Sequence, residues 1–265
     1  MMATVADHRP SRLRLAVSDG RAVTWRNLRG MTRIPEVMVF STIQPLIFVL
    51  TFRYVFGGAI KIPGVRYVDF LMPGVFVQTV AFGAMNTAVG LAEDLRSGML
   101  DRFRSLPIAR SAVLAGRTIA DLVRNLLVVT LMVGVGFLVG FRVHTNPLAF
   151  LLGLAILVYF SFALSWVFAL IGLAMPNAEA AQAASFPVLA LLVFASAAFT
   201  PTNTMPGWLR VYTEHQPVSD TAEALRALVL GGPTTSAVLS ALAWSTAILV
   251  VFVPLAVRSY RRAVR

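Results

Sequence analysis

Six apolar runs dominate the chain, at about 36–56, 68–92, 122–141, 147–173, 181–200 and 236–257. Each is close to the ~20 residues that carry a helix across a bilayer. Hydrocarbon offers no partner for an unpaired N–H or C=O, so segments that cross it close their hydrogen bonds internally. The expectation is an all-α integral membrane protein with six transmembrane helices. Composition agrees: 57% of residues are hydrophobic and 13% charged, where a soluble domain carries about a quarter charged. The domains expected are a leader at 1–35, a transmembrane unit at 36–257 and a tail at 258–265.

The basic residues sit between the runs or near their ends, and their distribution orients the chain. Seventeen of the 23 fall in the leader, in the interval that follows the second run and includes Arg124, or in the tail; six fall on the other side. The positive-inside rule then places both termini in the cytoplasm of a multi-pass protein of the bacterial plasma membrane. A net charge of +11 dispersed in this way is topological and provides no clustered face for nucleic acid.

Several chemistries are excluded. Without cysteine there are no disulfides, thiolate ligands or thiol nucleophiles. The single lysine, Lys61, lacks the Gly-Lys-Ser/Thr context of a phosphate-binding loop, so ATP is not bound by that route. His8, His144 and His215 lie outside the apolar runs, and HExxH and GxSxG are absent. An enzyme is not expected, nor a cofactor or metal within this chain.

Residues 1–20 are polar and Arg-rich, without the apolar core of a cleavable signal. Beyond them, Trp25, Leu28 and Met31 oppose Arg26, Arg29 and Arg33, the pattern of a helix lying in the membrane interface, or else of a basic flank. Gln44 with Pro45, and Gln78 and Asn86, are polar inside apolar runs. Such side chains face protein, as glue between helices or as contacts to a substrate. Gly83 and Gly90 predict close helix packing, and Gly136 with Gly140 forms a GxxxG. Arg117, Asp121 and Arg124 share a helical face, where the acid can pair with either base for a few tenths of a kcal/mol if exposed. The interval 201–233 has room for two short helices, dipping into the membrane or lying on it. Asp220 and Glu223 read as a capping box for the second, which Gly231 ends.

The longest charged interval, 93–117, separates the second and third runs. Leu95, Met99, Phe103 and Leu106 fall in one helical arc, which Arg102 interrupts. From these residues alone it is a solvated connector or a helix that docks on a partner.

The run LRSGMLDRFRSLPIAR at 95–110, continuing to LAGR at 114–117, resembles the cytoplasmic signature of the ABC-2 type permeases. It is most similar to the daunorubicin/doxorubicin-resistance branch of bacterial drug and lipid exporters. Arg26-Asn27-Leu28, Pro35-Glu36, Gln44-Pro45, Val55-Phe56-Gly57-Gly58, Gln216-Pro217-Val218 and Ala224-Leu225-Arg226 resemble the same branch. The resemblance implies a permease moving an amphipathic drug, lipid or glycolipid outward, paired with a second permease and with two copies of a separate ABC ATPase subunit that binds ATP and Mg. It implies a coupling helix from Met99 to Leu106, opened by Gly98 and closed by Pro107, with Glu93, Asp94, Arg96, Leu100, Asp101, Phe103 and Arg104 in the docking region. Trp25, Arg26, Leu28, Arg29 and Arg33 would touch the same partner, and Gln44, Gln78 and Asn86 would lie near the substrate path between permeases. Alternative readings are a polysaccharide or lipid-linked glycan exporter and a membrane scaffold or sensor subunit that moves nothing.

Overall fold

The computed structural model describes residues 35–58, 60, 62, 64–97 and 110–263. Its helices are α1 (Pro35–Leu50, continued by a π-helical turn Thr51–Phe56), α2 (Tyr67–Arg96), α3 (Arg110–Leu138), α4 (Pro147–Ala174), α5 (Ala178–Phe194), α6 (Gly207–Glu214), α7 (Pro217–Leu230) and α8 (Thr234–Ala263), with a 3-10 turn at Thr202–Thr204. Among the described residues, four segments are long and apolar enough to cross a membrane: Tyr67–Arg96, Gly116–Leu138, Pro147–Ala174 and Thr234–Arg262. The apolar helices Ile43–Val55 and Ala178–Phe194 are shorter.

Helix α2 is the centre of the bundle. It packs against α1, α3, α4, α5 and α7, while α4 packs on α2, α3, α5, α7 and α8. Two glycines set the closest approaches. A Cβ at Gly172 of α4 would strike the backbone of Ala88 in α2, and one at Gly74 of α2 would strike the backbone of Ala198. Rigid backbone does not yield to an added methyl, so Gly172→Ala should cost about 1–3 kcal/mol, read as a lowered unfolding midpoint in detergent.

Helix boundaries depart from the apolar runs where polar residues find partners. Helix α3 starts at Arg110, well before 122, and its Arg117 and Asp121 bond to α2 rather than to water. Helix α5 stops at Phe194, short of 200. There Ser196 donates to the Val193 carbonyl at 2.5 Å and Ala197 N–H donates to Ser219 of α7 at 2.9 Å, so the backbone leaves the helix to join α7. The side-chain-free Gly74 gives Ala198 room to enter.

The expected capping box is not the start of α7. Gln216 is the N-cap, its side chain accepting from Val218 N–H at 3.2 Å, and Pro217 occupies the first turn, where its missing N–H costs nothing. Asp220 lies inside the helix instead. Gly231 does end it, at φ +88°. The GxxxG is also not one packing face: Gly136 lies against Met72, whereas Gly140, at φ +97°, is past the end of α3.

The turn between α6 and α7 is inserted beside α8. Glu214, His215 and Asp220 share a recess with Ser240 and Trp244. Trp244 is ten residues into α8, about 15 Å along its axis at ~1.5 Å per residue. Burial pushes the Asp220 carboxyl above its ordinary range, against the lowering effect of a hydrogen bond from Trp244.

Candidate functional site

A cavity of about 340 Å³ lies between α1, α2, α3 and α5. Helical periodicity builds its α2 wall: Gln78, Phe82 and Asn86 recur every fourth residue, with Thr79 and Gly83 alongside. Gln44 and Pro45 come from α1, Arg124 and Val128 from α3, and Gln182 from α5. Gln44 and Gln182 are exposed and form the rim. Gln78 is 1% exposed, and its side-chain carbonyl is buried without a hydrogen-bond partner among the described residues. A buried acceptor without a donor costs about 1–3 kcal/mol, so the cavity holds an unmet demand for a donor.

Behind the α2–α3 wall runs a network of alternating charge. Asp94, in the last turns of α2, pairs with Arg117 of α3 at 2.5 Å. Arg117 lies 3.8 Å from Asp121, and Asp121 lies 3.3 Å from Arg124. Thr87 donates to Asp121 at 2.7 Å, Arg124 donates to the Gly83 carbonyl at 2.9 Å, and Asn125 donates to Ser161 of α4 at 2.9 Å. Glycine makes the docking feasible. A Cβ at Gly83 would collide with the Asn125 side chain, and one at Gly90 with the Arg117 guanidinium.

At the opposite end of the bundle, Asp69 in the first turn of α2 accepts from Arg66 Nε and from the Arg142 backbone N–H, both at 2.8 Å. Arg226 of α7 donates to the carbonyls of Phe70 at 3.0 Å and Ala198 at 2.7 Å, with its guanidinium 3.6 Å above the Phe70 ring. These bonds seat α7 against α2 and the end of α5.

Gln44, Gln78 and Asn86 thus line one cavity. Glu93 and Arg96 are exposed on the end of α2, and Asp94 is half-buried beside Arg117. Gly98, Met99, Leu100, Asp101, Phe103, Arg104, Leu106 and Pro107 lie outside the described residues, as do Trp25, Arg26, Leu28, Arg29 and Arg33. Sequence reasoning missed Arg124 and Gln182 as cavity residues. It counted Arg124 as a flanking charge, yet the residue stands inside the apolar run at 122–141, and an ionisable side chain in such a run was the available signal. Asp121 pairs with both Arg117 and Arg124, as their shared helical face allows, and at 1% exposure it holds a buried network.

Residues 19–230 match the model of the ABC-2 type transporter family. The chain belongs to the ABC-2 transporter permease family. Similar to this ABC-2 permease is the "Daunorubicin resistance ABC transporter permease protein DrrB1" of Streptomyces coeruleorubidus, 35% identical over 97% of this chain and 90% of the relative. The "Doxorubicin resistance ABC transporter permease protein DrrB" of Mycobacterium tuberculosis is 28% identical over 83% of this chain and 78% of its own. Membership makes the chain a multi-pass membrane protein, in a family whose ATPase is a separate subunit. The apolar side chains exposed on α1, α3, α5 and α8, among them Ile47, Leu131, Leu191 and Val250, accordingly meet lipid or a second subunit. No cluster of three His, Asp or Glu suited to a metal occurs among the described residues.

Proposed function

We propose that this permease exports an amphipathic drug or lipid from the cytoplasmic side of a bacterial plasma membrane, and that the cavity between α1, α2, α3 and α5 is part of the route. The observation that supports this most directly is the convergence of Gln44, Gln78 and Asn86, from two helices, on a single cavity. The drug class rests on the names of the relatives. In this reading all six apolar runs cross the membrane, both termini and the 97–110 connector are cytoplasmic, and α6 and α7 dip in from the outer face.

Two ATPase subunits dock on the connectors of two permeases, this chain and a second copy or relative. ATP binding closes the ATPases. The docked connectors follow, and the pair exchanges an inward-open for an outward-open arrangement, a shift between two populations.

Alanine at Gln44, Gln78 or Asn86 should each lower drug transport and drug-stimulated ATP hydrolysis about 2–10-fold in reconstituted vesicles, the range expected for one lost hydrogen bond. Unchanged rates in all three variants would remove the cavity from the route. Because the chain lacks cysteine, a single Phe103→Cys provides a unique thiol in the connector. Crosslinking in native membranes should trap an ATPase subunit, with a yield that changes when an ATP analogue is added. Failure there and at single cysteines from 99 to 106 would leave the connector without a docking role.

A further inference from the structure

We propose that Phe48, Phe52, Phe194 and Phe199 form a binding site for the flat aromatic part of a substrate, and that the rings of α1 part from the other two to let it past. The inference rests on the transport reading above and deepens it, naming the residues that set specificity beyond the cavity.

Helices α1 and α5 both line the cavity, yet among the described residues α1 packs on α2 and α3 and not on α5. Gln44, Phe48 and Phe52 recur every fourth residue, so the face of α1 that meets the cavity continues past it as phenylalanine. At ~1.5 Å per residue the two rings stand about 6 and 12 Å beyond Gln44 along the helix axis. There they meet Phe194, the last residue of α5, and Phe199 just after it. Ring centroids are 6.1 Å apart for Phe48 and Phe194, 6.1 Å for Phe48 and Phe199, and 4.8 Å for Phe52 and Phe199. Phe48 and Phe52 lie 6.0 Å from each other. Between α1 and the end of α5, then, the contact is ring on ring.

Three of these contacts are stacks, with interplanar angles of 13°, 19° and 29°. Stacking is not particular to phenylalanine, because any flat π-system offers the same charge distribution on its face. A planar aromatic group entering between α1 and Phe199 replaces each ring contact that it breaks. An alkyl chain replaces the buried area but not the stacking. The two sides also differ in freedom. Phe199 is 6% exposed, and the Tyr67 hydroxyl of α2 donates to its carbonyl at 3.2 Å. Phe52 stands in the π-helical turn Thr51–Phe56, an irregularity of the backbone ladder that recurs at functional sites. Phe48 and Phe52 are half-buried and Phe194 is 50% exposed, so the group is open on one side. Carboxamides followed by rings along one path fit an amphipathic molecule, its hydrogen-bonding end in the cavity and its flat end on the phenylalanines.

The test is photolabelling of the full chain in native membranes with ethidium monoazide, a flat aromatic cation, with the adducts mapped by mass spectrometry. Adducts are expected in 48–52 and 194–199, displaced by excess ethidium and not by dodecylamine, a cation without rings. Phe194→Leu and Phe52→Leu should each lower them about fivefold or more, the loss of one stacking partner, whereas Phe52→Trp should keep them. Phe194 is half-exposed at a helix end, so its leucine variant gives a reading even if Phe52→Leu does not fold. Absence of adducts from both segments overturns the proposal. So does displacement by dodecylamine equal to that by ethidium, or labelling that either leucine variant, once folded, leaves unchanged. No adducts at the rings, with transport still dependent on Gln44, Gln78 and Asn86, sinks the aromatic site alone. Adducts at the rings with transport indifferent to those three sinks the route and leaves the aromatic site.

Discussion

Asp121→Asn destabilises the folded permease by about 3–5 kcal/mol, the usual cost of removing one member of a buried ion pair. For a chain of this size the unfolding midpoint in detergent drops by about 10 °C or more. Asparagine keeps the shape and the ability to accept from Thr87. It removes the anion that faces Arg124 at 3.3 Å and Arg117 at 3.8 Å. Arg117 still has Asp94, but Arg124, 7% exposed, keeps only the Gly83 carbonyl among its described partners. Asp94→Asn is the graded control: its side chain is 19% exposed, water reaches it, and the expected loss is about 1 kcal/mol. Equal losses in the two variants would mean that burial does not govern the network.

The second large effect is Arg226→Met. Methionine fills much of the volume but leaves the Phe70 and Ala198 carbonyls without their guanidinium donor in an apolar setting. Each such group costs about 1–3 kcal/mol, so a loss of several kcal/mol is expected, together with the cation–π contact to Phe70. The contacts lie between α7, α2 and the end of α5, so the damage should begin locally. Hydrogen exchange should rise first in 195–200 and in α7. Uniform exchange across all helices would mean that Arg226 contributes to global stability without seating α7.

Much of this architecture could be read from the chain because hydrocarbon imposes a simple rule on backbone. The run at 147–173 became Pro147–Ala174, and the π-helical extension of α1 reaches Phe56, the end of the run at 36–56. The rule weakens where a polar side chain has a protein partner. Counting hydropathy placed Arg117, Asp121 and Arg124 before or at the start of a span. Folded, they belong to a long helix whose charged face is sealed against Thr87, Asp94 and the Gly83 carbonyl. Gln44, Gln78 and Asn86 stood out because carboxamides are expensive in lipid. Gln182 did not, since near the start of α5 it reads as an ordinary helix-end residue. Ser219 and Gly74 were invisible as well. Their effect on where α5 ends operates through a hydrogen bond from Ala197 to Ser219, 22 residues on, and a missing Cβ at Gly74, more than a hundred residues before Ala198.

The bonds between α2 and α3 also determine how a push could travel. Asp94 to Arg117, Thr87 to Asp121 and the Gly83 carbonyl to Arg124 are three rungs, spaced up the two rails that flank the 97–110 connector. A ladder braced in this way resists shear, so a load applied at the connector tilts both rails together. Helix α1 packs against both rails, and its Phe48, Val49 and Phe52 belong to the apolar core, surfaces able to slide. The cavity therefore has two walls that move as one part and an α1 wall that can lag behind. Its mouth should widen or narrow on the α1 side while the distance from Gly83 to Arg124 stays fixed.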